Sequence, residues 1–122
     1  MLYRVAEPAD WQRAQATGVF ASADLHQEGF IHTSGLHQLV DTANRYYCGR
    51  RDVLLLELSE EALAAAGVEV RHEWAPARGQ HFAHVFGPIP LAAVTRTLPW
   101  EPAADGRFGL PPALQSAAAP GL

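Results

Sequence analysis

At 122 residues and 48% hydrophobic composition, the chain has the size of one domain, and its apolar share excludes global disorder. A net charge of −4 argues against a nucleic-acid or membrane-surface binder, and all nine basic residues are arginine, which removes lysine Schiff-base chemistry and lysine-dependent phosphate loops. The single cysteine, Cys48, allows no internal disulfide and no zinc site of several thiolates; with no secretory signal and no apolar run near the roughly 20 residues of a membrane span, a cytoplasmic protein is expected.

In chain order, residues 2–6 alternate well enough for a strand. Pro8 suits the first turn of a helix, Trp11 and Ala14 are spaced to face inward together, and Gly18 is a C-terminal stop. Val19-Phe20 reads as a short extended piece and Ala21 to Gln27 as a loop or single turn. Gly29 to Thr33 reads as a strand, because Phe30 and Ile31 are strand formers that want a buried face. Ser34 stands where a helix N-cap belongs, since Leu36, Leu39, Val40, Ala43 and Tyr47 recur as one apolar stripe over a helix of about residues 35–48. Unpaired backbone N–H groups are expected at that strand-to-helix junction, which makes it a candidate binding site.

Val53 to Leu58 is the most hydrophobic run and reads as a central strand covered on both faces. Ser59 caps a short helix that Gly67 stops. Val68 to Trp74 alternates as a half-exposed strand does. Residues 75–81 are expected to form a mobile surface loop, Phe82 to Phe86 an apolar run around His84, and Leu91 to Ala93 one tight turn. Val94 to Trp100 is a last strand, placed at a sheet edge by Pro99. Residues 103–111 are expected along the surface. The pattern predicts a single α+β domain over residues 1–112, with a mixed or antiparallel sheet, two to three helices and a frayed tail over 113–122.

Six histidines stand at 26, 32, 37, 72, 81 and 84, but their spacings match no strong zinc motif, so no metal is expected. His32 is framed by apolar residues and adjoins the hydroxyls of Thr33 and Ser34; His84 lies in an apolar run. Each also has the plain reading of a half-buried histidine satisfied by a backbone carbonyl. Glu73 ends a strand beside Trp74 and reads on its own as a surface carboxylate. Cys48 sits at the wrong end of a helix dipole for a reactive thiolate.

Gly29-Phe30-Ile31-His32-Thr33-Ser34, then Gln38, Ala43-Asn44, Leu54 to Leu58, Glu73, His84 to Ile89 and Ala104 to Phe108 resemble, in that order, the bacterial domain-of-unknown-function family 952. The likeness covers nearly all of residues 2–111. Ala83 stands where that family often has proline, and Phe86 where it has tyrosine. The family in turn resembles a compact ADP-ribosyltransferase-like fold, and Ile31 to Ser34 is similar to the His-x-Ser region that lines the NAD pocket of tRNA 2′-phosphotransferases. The resemblance implies NAD or a similar small-molecule ligand, with Arg4, His32, Thr33, Ser34 and Asn44 binding it and His32, Ser34, His84 and Glu73 in catalytic roles. Ser34 and His32 would hold the nicotinamide, Arg4 or Arg45 the pyrophosphate, and Glu73 the ribose. Three functions stand open: ADP-ribosyl transfer or NAD cleavage, a non-catalytic binding module, and acid/base chemistry by His32 and His84 on another small molecule.

Overall fold

Leu55 and Leu56 are neighbours on the central strand, yet they are buried in different cores. Successive strand side chains point to opposite faces, so a continuous apolar run requires cover on both sides. The computed structural model describes residues 1–118. Three antiparallel sheets contain eight strands: β1 (Leu2–Ala6), β2 (Val19–Phe20), β3 (Ile31–His32), β4 (Leu54–Leu58), β5 (Glu69–Ala75), β6 (Gln80–Phe86), β7 (Ile89–Pro90) and β8 (Val94–Pro99). Their orders are β1-β4-β8, β2-β7 and β3-β6-β5. The expected α+β class is therefore observed, with Pro99 on an edge strand.

Five helices, rather than two or three, complete the described residues: α1 (Pro8–Thr17), α2 (Ala23–Glu28), α3 (Leu39–Tyr46), α4 (Glu60–Ala65) and α5 (Pro112–Ala118). Among the described residues, no helix is long and apolar enough to cross a membrane. Ser59 caps α4, its hydroxyl accepting from the Ala62 N–H. The predicted helix over 35–48 is shorter. Leu36–Gln38 form one 3-10 turn before α3, and the buried Gln38 accepts from the Gly35 N–H at 2.9 Å while donating to the His81 carbonyl at 2.7 Å.

One core lies between the two larger sheets: Leu56, Leu58, Phe20, Ile31, Val85 and Ile89 meet there, with Trp11 and Ala14 of α1 turned inward. The second lies on the outer face of β1-β4-β8, under α3 and the C-terminal segment, and holds Leu55, Leu39, Ala43, Trp100, Phe108 and Leu114. Leu114 is only 1% exposed. The expected frayed tail is thus replaced at 112–118 by a helix, because a single leucine finds the apolar floor that Trp100 and Phe108 provide; residues 119–122 lie outside the described residues.

Glu57 interrupts the apolar run and is buried in the second face. Burial opposes its ionisation, but bonds from the Arg96 guanidinium, the Thr95 hydroxyl and the Tyr3 hydroxyl hold its carboxyl below the usual range. Burial and that same carboxylate push the Tyr3 phenol up to about 12.

Candidate functional site

The Gly29–Ser34 segment joins the two larger sheets. Gly29 closes α2 in the left-handed region, at φ 88°, where a residue with a Cβ would be strained. The chain then gives β3, which pairs with β6 so that His32 stands opposite His84. Directly opposed residues of an antiparallel pair share one sheet face. The two imidazoles therefore meet, with ring centroids 5.3 Å apart and planes at 76°. Phe30 fills the space beside them, stacked on His84 at 4.0 Å and edge-on to His32 at 4.9 Å.

Each imidazole has a carboxylate at Nδ1, and His32 also has Glu28 3.7 Å from its Nε2. His32 Nδ1 lies 2.9 Å from Asp24 Oδ2, which also accepts from the His32 backbone N–H at 2.9 Å and from Arg4 Nη1 at 2.6 Å. The Ser22 hydroxyl bonds the other oxygen of Asp24. Burial opposes ionisation of Asp24, but the His32 bonds and the Arg4 charge outweigh it and hold the carboxyl well below the ordinary carboxylate range. His84 Nδ1 lies 2.8 Å from Glu73 Oε1. Glu73 belongs to the edge strand β5 and reaches the site only through His84; it does not line the cleft. A role for Glu73 at a ribose, as the sequence resemblance implied, has no direct path.

Ser34 does not cap a helix. Its N–H and carbonyl both pair with Tyr3, at 2.8 Å each, and the Thr33 N–H donates to the Ala83 carbonyl. The N–H groups of Thr33, Ser34 and Gly35 are therefore satisfied; at Ser34 strand pairing has outcompeted capping, and Gly35 takes the cap position. The Ser34 side chain is left for the cleft, where its oxygen lies 2.9 Å from Thr42 Oγ1. Thr33 spends its hydroxyl on the Ala83 carbonyl at 2.6 Å, a structural bond.

His32, Ser34, His84 and Arg4 line one cleft of about 680 Å³. Its other walls include Thr42 and Tyr47 of α3 and its end, Trp74 of β5, and Arg78 of the β5–β6 turn. Burial pushes the Tyr47 phenol up. Arg78, in the segment expected to be a mobile loop, is a buried cation: its side chain is 8% exposed, lies 4.5 Å over the Phe82 ring, and hydrogen bonds Asp41 at 2.8 Å and Thr42 at 3.0 Å.

Asn44 is not part of this site. Its amide donates to the Phe108 carbonyl and accepts from the Phe108 N–H, pinning the C-terminal segment to α3. Arg45 is outside the cleft as well, bonded to Asp41. Sequence reasoning missed Asp24 and Arg78. The only local signal for Asp24 was an acidic residue two places after a potential cap, Ser22; for Arg78 there was none.

Comparison with known proteins places these features in a wider set. The family model described as "Protein of unknown function (DUF952)" matches residues 5–97. The crystal structure of protein CC0527 from Caulobacter crescentus is similar at a TM-score of 0.79 and 29% identity, covering 95% of this chain and 96% of that one. The solution NMR structure of the same protein gives a TM-score of 0.74 at 30% identity, with 95% and 94% covered. No curated protein matches the chain.

Proposed function

We propose a function for a chain that belongs to the DUF952 family, described as proteins of unknown function: its cleft binds a nucleotide-type ligand, NAD or a related ADP-ribosyl compound, in an ADP-ribosyltransferase-like setting. The observation that carries this reading is the convergence of His32, His84 and Ser34 on one cleft, with the imidazoles 5.3 Å apart. The volume of about 680 Å³ lies in the usual range of small-molecule sites, and the lining combines aromatic rings with histidines, hydroxyls and charged side chains of both signs. The His32-Thr33-Ser34 segment resembles the His-x-Ser region that lines the NAD pocket of tRNA 2′-phosphotransferases. In this reading Nε2 of His32 reaches the nicotinamide-ribose part, the Ser34 hydroxyl faces the same cleft, and Trp74 offers a flat apolar surface to a base.

Bound NAD would supply a glycosidic bond whose cleavage passes through an oxocarbenium-like transition state. The residues of this chain would orient the ligand and hold protons. Asp24 keeps its negative charge beside His32, fixes the ring's direction through Nδ1, and leaves Nε2, which faces Glu28 at 3.7 Å on the cleft wall, as the nitrogen that can exchange a proton with a ligand. Glu73 positions His84 in the same way.

A second reading is favoured by one specific feature. Two imidazoles within a water's span, each backed by a carboxylate, form an acid/base pair suited to proton transfer on a small molecule other than NAD. Isothermal titration of the chain with NAD and with ADP-ribose decides between them. Heat of binding for either supports the nucleotide reading; no binding of either at millimolar concentration overturns it.

A further inference from the structure

We infer that Arg78, Thr42 and Ser34 form a subsite for a phosphoryl group, an inference that deepens the nucleotide reading and rests on it for the remainder of the ligand. The three arginines that line the cleft are not equivalent. Arg4 is matched by Asp24, itself only 12% exposed and on the same wall, so that pair is neutral inside the site. Arg50 is matched by two carboxylates, Glu7 at 2.6 Å and Asp52 at 2.8 Å. Arg78 has one, Asp41, which is 55% exposed and shared with Arg45 at 3.1 Å. Two guanidinium charges against one carboxylate leave this group a net +1. The cleft lining as a whole carries three arginines and four carboxylates, Glu7, Asp10, Asp24 and Glu28, and its least compensated cation is Arg78, not Arg4, where the family resemblance had placed the pyrophosphate.

Among the described residues Arg78 bonds through Nη2 alone, to Asp41 and Thr42, whereas Arg4 bonds Asp24 and the His32 carbonyl through Nη1; the buried Nε–H has no partner in either, so it is the charge count that separates them. A buried charged donor left unpaired is costly and calls for a compensating acceptor. Thr42 accepts from Arg78 and shares one hydrogen bond with Ser34. Two hydroxyls have two protons, and their mutual bond uses one, so one O–H remains for an anion whichever way that bond runs. Stacking on Phe82 holds the guanidinium plane fixed, which suits fork-like recognition of phosphate oxygens. A planar cation, a hydroxyl donor and local positive charge are the requirements of a phosphoryl site.

The test is an NMR titration of the full chain that follows arginine Nε–H resonances, using inorganic phosphate, ADP-ribose and, as the uncharged control, adenosine. Phosphate and ADP-ribose are expected to shift the Arg78 Nε–H resonance while adenosine leaves it in place. Thr42→Val is expected to weaken phosphate binding about tenfold, and Arg78→Gln to abolish it, with circular dichroism confirming that both variants fold. A phosphate response at Arg4 or Arg50 with Arg78 unmoved overturns the subsite, as does unchanged affinity in both variants. If ADP-ribose binds but Arg78 does not move, the subsite fails and the nucleotide reading stands. If phosphate moves Arg78 but ADP-ribose does not bind, the subsite stands and the nucleotide reading fails.

Discussion

One oxygen of Asp24 lies 2.9 Å from both the ring Nδ1 and the backbone nitrogen of His32, so a single carboxylate atom fixes the strand end and the imidazole together. The same atom accepts from Arg4. Asp24→Asn is expected to lower stability at neutral pH by about 3 kcal/mol, because a largely buried guanidinium loses its counter-charge. Equilibrium urea denaturation at pH 7 measures this.

The acid response of the wild type follows from the same residue. Its folded-state pKa is depressed, so the unfolded chain takes up this proton first. The Asp24 contribution is fully present above the unfolded pKa of about 4 and is lost as pH falls below it. Urea midpoints between pH 6 and pH 3 are expected to fall in the wild type and to fall less steeply in Asp24→Asn.

Adjacent hydroxyls in the Thr33-Ser34 pair have opposite assignments. Thr33→Val removes a buried bond to the Ala83 carbonyl and is expected to cost about 1–2 kcal/mol of stability. Ser34→Ala is expected to cost under about 1 kcal/mol, since among the described residues its hydroxyl bonds only Thr42, and to weaken ligand binding instead. Thermal unfolding with calorimetric titration of ADP-ribose separates the two effects; equal stability loss with unaltered binding would contradict the assignment.

Asn44→Ala removes both hydrogen bonds that tie Phe108 to α3. A loss of about 2 kcal/mol in denaturant unfolding is expected, with affinity for ADP-ribose unchanged. A fall in affinity with stability intact would return Asn44 to the site.

Leu114 is sealed under Trp100 and Phe108, so Leu114→Ala is expected to cost about 2–4 kcal/mol. A change below about 0.5 kcal/mol in urea unfolding would mean that α5 does not dock in solution.

What the sequence made legible was what local pattern controls. The Leu39 and Ala43 stripe of α3, the apolar run of β4 with its two covered faces, the Ser59 cap and the Pro99 edge all depend on spacing within one element. The convergence of His32 and His84 was expected only as a chance, because it depends on the β3–β6 register, which no local signal sets. Ser34 looked like a cap because helix patterning follows it; its pairing with Tyr3, 31 positions away, could not be seen locally. α2 spans six residues, too few for a periodic signal, and Asp24 was hidden with it. Arg78 sits in a turn whose burial comes from Phe82 and α3, so its composition suggested only a loop. Leu114 was one leucine among alanines and prolines, and its docking surface is made by residues from two other segments.

The most direct measurement is an NMR titration that follows the imidazole resonances of His32 and His84 as ADP-ribose is added to the full chain. The account predicts that both move along one saturation curve while the exposed His72, on the other face of β5, stays still. Resonances of His32 and His84 that hold their positions to millimolar ligand, or that shift only together with His72, would contradict it.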